Sequence, residues 1–276
     1  MKSTLRSCSI LLYVLTSISL ISCGDANIII DNNGGIFPPF RNTDFEADDS
    51  FSEEIEIGIR SRLRLKGING NITVTGLSGT DSVMITGTKL VGSDRMQDAE
   101  EHLQELEVNV QSPADEISVE TIQPQNNEGR KYVFDYIITL PADLKVQITN
   151  TNGIMILEDI GNNITVNNTN GDVTLTGITG SAEVNVVNGM IDSDITLPSN
   201  GTIDLNTVNG NIDLTIPTDT SAMLSAAVSI GIISDSNLEL QNEVRTSKSL
   251  SAKLGNGHGT ISLEADVTGN ISVSGI

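Results

Sequence analysis

The sequence contains no tryptophan, two cysteines, two histidines and only 3% aromatic residues. Each shortage closes off some chemistry. His102 and His258 stand alone, so neither a multi-imidazole zinc site nor a serine triad is supported. Cys8 and Cys23 both lie near the N-terminus. The remainder of the chain therefore offers no disulfide framework, no thiol nucleophile and no cysteine metal site. Aromatics end at Tyr136, so the C-terminal half must be cored by Ile, Val and Leu. Positive charge is also scarce. Fifteen Lys and Arg face 36 Asp and Glu, for a net charge of −21. Such a chain repels phosphates, and nucleic acid is not an expected partner. Its acidity favours solubility and attracts cations or basic peptides.

The one long apolar run is Ile10 to Ile21, preceded by Lys2 and Arg6 and followed by Ser22-Cys23-Gly24. This is the layout of a secretory signal, too short for a comfortable transmembrane helix. Leu20-Ile21-Ser22-Cys23 resembles the lipobox of bacterial lipoproteins. The resemblance implies cleavage after Ser22, a diacylglycerol thioether on Cys23 and a further acyl chain on the new amine. Two or more chains anchor stably where one does not. An ordinary secretory signal with a chance cysteine is the alternative. Cleavage would remove two positive charges and no negative ones, leaving a net charge near −23. No cofactor is expected beyond the lipid on Cys23. The expected location is the cell envelope. Gly24 in place of an aspartate favours the outer membrane or cell surface.

Residues 23–54 read as the lipidated cysteine and an acidic flexible tether. They hold Asn32-Asn33-Gly34-Gly35 and Pro38-Pro39, and seven acidic residues with no basic one fall between Asp44 and Glu56. Like-charged polar segments bury too little surface to fold. Ile28-Ile29-Ile30 interrupts this stretch, as a membrane-surface contact or a short strand. From Ile55 the pattern becomes period-2 alternation, in Ile55, Ile57 and Ile59, then Leu63 and Leu65, then Ile72 and Val74. One helix is expected at about 94–107, capped by Ser93, with Met96, Ala99, Leu103 and Leu106 on its apolar face. His102 lies off that face.

The C-terminal half repeats. Asn-Gly recurs at Asn152-Gly153, Asn170-Gly171, Asn188-Gly189 and Asn209-Gly210, at spacings of 18, 18 and 21 residues. Related strands lie between them, as in Asn163-Ile164-Thr165-Val166 and Ala182-Glu183-Val184-Asn185-Val186. Similar units occur early, at Gly70-Asn71-Ile72, and late, at Gly259-Thr260-Ile261 and Gly269-Asn270-Ile271. Strands this short cannot stand alone. They could form a meander of Asn-Gly hairpins. Alternatively each period could be one coil of a β-solenoid, with the four asparagines stacked as a ladder at one corner. Near-constant spacing and small aliphatic inward positions favour the solenoid, an all-β fold running from 55 to 276 with one helical insert.

Val133 to Leu157 contains a strand ending in Leu140-Pro141-Ala142-Asp143-Leu144, and serial Asn-Gly units follow. This resembles the bacterial putative-adhesin domain family, related to the head GIN domain, over roughly residues 55–276. The resemblance implies a β-helix-like fold, an exported or surface location and no established enzyme activity. The residues themselves suggest a non-catalytic surface for adhesion, macromolecule binding or envelope organisation. A second reading is an envelope-stress component that binds cationic peptides. A third is a polysaccharide-processing enzyme, which needs two carboxylates at a defined separation. Asp192 with Asp194, or Asp204 with Asp213, are the candidates. A calcium site has only partial motifs, such as Asn170-Gly171-Asp172.

Overall fold

The period from 164 to 181 shows how the sequence builds the fold. Ile164–Asn170 is one strand, with Ile164 and Val166 buried and Thr165 and Asn167 facing outward. Asn170-Gly171 turns the corner. Val173–Ile178 then runs as a second strand that buries Val173 and Leu175. The two strands belong to different sheets, one of eleven strands and one of ten. Asn-Gly is therefore a corner between sheets and not a hairpin.

The next period lies directly on this one. Ala182–Asn188 pairs parallel with Ile164–Asn170, placing Val184 on Val166 and Asn188 on Asn170. Ile191–Ile195 pairs parallel with Val173–Ile178. One period makes one coil, and coils stack at the inter-strand distance of about 4.8 Å. The expected β-solenoid is thus the architecture of this chain. Its interior is a column of Ile, Val and Leu closed between the two sheets.

This computed structural model describes residues 43–276. Before them only backbone is described, for Ser19–Ser22, Asn27–Ile30 and Ile36–Phe37, which pair antiparallel; Asn27–Ile30 is thus a short strand. Cys23 and the rest of the expected leader and tether before residue 43 lie outside the described residues.

The tether reading needs correction at its C-terminal end. Phe45–Glu56 is a twelve-residue strand, paired antiparallel with Ser82–Ser93 at the edge of the ten-stranded sheet. Ala47 is buried, and Phe51 and Ile55 pack on the core. Asp49 and Glu53 occupy the same parity and hide the alternation. An edge strand tolerates them because half of it stays in water, and Asp49 meets Lys89 at 3.4 Å. Charge on an edge also discourages pairing with another chain.

The helix is shorter than expected. It spans Met96–His102, and a 3-10 turn, Leu103–Glu105, completes it. Ser93 is not its cap: Arg95 holds that position, without a side-chain capping bond. The Ser93 hydroxyl instead donates to the Asp98 carboxylate. Ala99, Leu103 and Leu106 are buried as expected, whereas Met96 is 46% exposed. His102 places Nδ1 2.7 Å from the Asp98 carbonyl oxygen. Arg130 grips Asp98 from the loop, with Nε to Oδ2 at 2.8 Å and Nη2 to Oδ1 at 3.0 Å. That hydrogen-bonded guanidinium holds the Asp98 carboxyl far below the usual carboxylate range, against the opposing effect of burial.

The described aromatic core is confined to this end. Phe134 and Tyr136 stack at 4.3 Å, and Phe51 meets Phe134 edge-on at 6.1 Å. The Tyr136 hydroxyl pairs with Thr121 Oγ1 at 2.7 Å.

The other end breaks sequential order. Thr202–Asn209 does not pair with the next coil, Ala222–Val228. The C-terminal strand Gly259–Thr268 lies between them, parallel to both. Likewise Ile271–Gly275 lies between Ile212–Ile216 and Ile233–Ser236. The last coil in sequence thus fills a slot inside the stack. Ser249–Leu254 and Gln241–Arg245 then close the end of the larger sheet as antiparallel strands.

Candidate interaction wall

The corner is built from three kinds of residue. The first is an outer asparagine ladder. Asn152 Nδ2 donates to Asn69 Oδ1 at 2.6 Å, Asn170 to Asn152 at 2.8 Å, Asn188 to Asn170 at 2.9 Å and Asn209 to Asn188 at 3.0 Å. All four asparagines read from the sequence join it. Asn69 is a fifth rung outside the four repeats read from the sequence, although Asn69-Gly70 carries the same dipeptide.

The second kind is the glycine column. A Cβ on Gly153, Gly171, Gly189 or Gly210 would overlap the carbonyl oxygen of the glycine one coil earlier. Positive φ explains only part of this column. Gly153 and Gly171 sit at +140° and +123°, but Gly210 is not among the positive-φ residues. Close backbone approach between coils is the common requirement.

The third kind sits just inside the corner. Asn168 is 3% exposed, and its Nδ2 donates to the Gly153 and Gly171 carbonyls at 2.9 Å. Asn150 Nδ2 makes equivalent bonds to the Gly70 and Asn152 carbonyls at 3.1 Å, and Thr207 Oγ1 bonds the Gly189 carbonyl at 3.0 Å. Asp172 also has a structural partner: its Oδ1 accepts the Met190 amide at 2.8 Å.

Beside this corner the eleven-stranded sheet presents a wall. Asn167, Asn185 and Asn206 form a second ladder on its outer face, each rung 3.2 Å from the next. The sequence carried a usable signal for it, because these asparagines share the 18- and 21-residue spacing of the corner. The wall dips into a shallow groove of about 250 Å³, whose lining includes Asn167, Asn168, Asn185, Asn206, Val187 and Asp266. Charge varies along the wall. Arg62 and Lys66 pair with Glu116 and Glu120 near the N-terminal end, at 3.1 and 2.7 Å. Glu183, Asp204, Glu264 and Asp266 collect toward the other end. The Glu264 carboxyl is raised, first by the charge of Asp266 and then by burial.

The carboxylate pairs proposed from sequence divide. Asp204 lies in Thr202–Asn209 of the eleven-stranded sheet, and Asp213 in Ile212–Ile216 of the ten-stranded sheet. They stand on opposite walls and do not converge, because the Asn209-Gly210 corner separates them. Asp192 and Asp194 share one strand and one face. The register brings Asp192 beside Asp213 instead, and partial burial and the Asp192 charge raise the Asp213 carboxyl. Among the described residues, no group of three or more His, Cys, Asp or Glu could hold a metal ion.

These features define a two-walled parallel β-solenoid with laddered corners. The chain belongs to the Toastrack DUF4097 family, whose sequence profile matches residues 50–274. This agrees with the resemblance to the putative-adhesin domain family. Similar solved structures include a putative cell adhesion protein from Clostridium sporogenes, at 14% identity and a TM-score of 0.49, covering 83% of this chain and 100% of that one. A putative adhesin from Bacteroides fragilis is also 14% identical, with a TM-score of 0.37, covering 83% of this chain and 97% of its own. No curated protein matches the sequence.

Proposed function

We propose that this protein is an envelope lipoprotein, held to a membrane by lipid on Cys23, that uses its solenoid wall as a non-catalytic binding surface. The observation that carries the reading is the unbroken wall. Asn167, Asn185 and Asn206 repeat one chemical group at a fixed interval on parallel-paired strands. A repeating display suits an extended macromolecule better than a single small substrate. The lipobox-like Leu20-Ile21-Ser22-Cys23 supports the anchor. Residues 23–44 separate Cys23 from the first long strand, Phe45–Glu56.

The test uses the mature chain from residue 23 with Cys23→Ala, purified without lipid. It should co-sediment with cell envelopes stripped of their own copy of the protein, and substitutions on the wall should weaken that retention. Retention that persists after the wall is substituted, or no retention at all, contradicts the reading.

A further inference from the structure

The groove on the eleven-stranded wall has a chemistry of its own. It faces solvent beside the corner and is about 250 Å³ in volume. Across it run the amides of Asn167, Asn185 and Asn206, each rung one coil from the next. Each rung uses one N–H or one lone pair per neighbouring rung, and Asn206 gives its second N–H to Asp204 Oδ1 at 3.1 Å; a primary amide has two donors and two acceptor sites, so Asn206 keeps its oxygen free. Every rung therefore keeps hydrogen-bonding capacity for a ligand. Val187, 40% exposed, and Val208 add aliphatic surface beside the amides. Asn168 also lines the groove. Its side chain is almost completely buried, and its Oδ1 has no hydrogen-bond partner, while its Nδ2 is fully used by two glycine carbonyls. That atom lies on the inward side of the strand, beneath the amide row, so Asn168 shapes the floor of the groove and the outward amides carry the recognition.

The occupant can be narrowed by chemistry. The strands that floor the groove, Lys145–Asn152, Ile164–Asn170, Ala182–Asn188 and Thr202–Asn209, are each paired on both sides. An extended peptide therefore finds no free edge here to join by strand addition. The amides are neutral and the one charged lining residue is Asp266, so an anionic polymer is disfavoured. Paired donors and acceptors next to aliphatic surface suit a molecule with hydroxyls on one side and C–H groups on the other.

We propose that this groove is a subsite for a neutral oligosaccharide, bound along the stacking axis by the Asn167, Asn185 and Asn206 amides. The proposal rests on the reading of the wall as a binding surface and names the ligand class. Affinity is weak, because the groove is shallow and lacks an aromatic platform. Repetition along a polymer raises the avidity.

The experiment records side-chain amide NMR spectra of the mature Cys23→Ala chain. Probes are the tetramers of N-acetylglucosamine, mannose and glucose, with tetragalacturonate as an acidic control and a tetralysine peptide as a basic one. At least one neutral tetramer should give saturable shifts of the Asn167, Asn185 and Asn206 resonances. Asn185→Ala and, separately, the exposed-site variant Val187→Asp should weaken binding by about 10-fold or more, with the melting temperature of Val187→Asp unchanged. Silence from every neutral tetramer, or binding that survives both substitutions, overturns the proposal. Shifts at these amides from tetralysine alone also overturn it, in favour of a basic partner. Envelope co-sedimentation of the same variants separates the two failures. If Asn185→Ala still sediments but other wall variants do not, the wall reading stands and this subsite falls. If nothing sediments, both fall.

Discussion

Gly171, Gly189 and Gly210 stand where backbone passes closest to backbone. A methyl group at Gly189 would overlap the Gly171 carbonyl oxygen, an atom fixed in the stack. Gly189→Ala should therefore destabilise the fold by about 1–3 kcal/mol through overpacking, read as a lower urea midpoint. Asn188→Ala removes two ladder bonds at an exposed site, and the expected loss is smaller, about 1 kcal/mol. Equal losses from the two would show that the corner is held by the ladder and not by close approach. The buried Asp98 makes a different prediction. Its folded pKa lies below its unfolded value near 3.9. The stability it contributes is fully present above that unfolded value and fades as pH falls toward the folded one. Asp98→Asn should flatten the acid limb of the stability profile below about pH 4. At neutral pH it should cost about 3–5 kcal/mol, because Arg130 loses its buried anion and keeps only the exposed Glu128 at 3.3 Å. An acid limb unchanged in Asp98→Asn would place the titrating group elsewhere.

At the scale of the element, the C-terminal coil carries the strongest consequence. Gly259–Thr268 and Ile271–Gly275 are the last strands in sequence, yet each lies between two earlier ones. In stacked repeats each coil draws stability from its neighbours. Removing 259–276 should therefore expose Ala222–Val228 and Ile233–Ser236 to rapid hydrogen exchange, while the coils from 145 to 195 stay protected. Slow exchange throughout 222–254 in the truncated chain would mean that the earlier coils close the slot by themselves. The sequence made coil existence legible here but not coil order. Gly259-Thr260-Ile261 and Gly269-Asn270-Ile271 match the other units, and identical edges stack equally well in either position. Phe45–Glu56 was illegible for another reason. Asp49 and Glu53 occupy inward parity on an edge strand, where water still reaches them. The Asp98–Arg130 pair was illegible because 32 residues separate its members and only the tertiary fold joins them.

At the scale of the whole molecule, a ten-stranded and an eleven-stranded sheet enclose one aliphatic column, with aromatics gathered at the end nearest the N-terminus. The architecture was legible because its Asn-Gly corners recur at 18, 18 and 21 residues and no aromatic residue follows Tyr136. The groove was not, since it depends on which asparagines share a face, and that follows only from the register. The acidic strand Phe45–Glu56 places negative charge at the edge of the ten-stranded sheet. Lipid on Cys23 is proposed to hold this wall at a membrane. Fractionation of cells expressing Cys23→Ala tests it most directly. The account predicts that the variant leaves the membrane pellet for the soluble fraction with its melting temperature unchanged. A variant that stays in the pellet would contradict it.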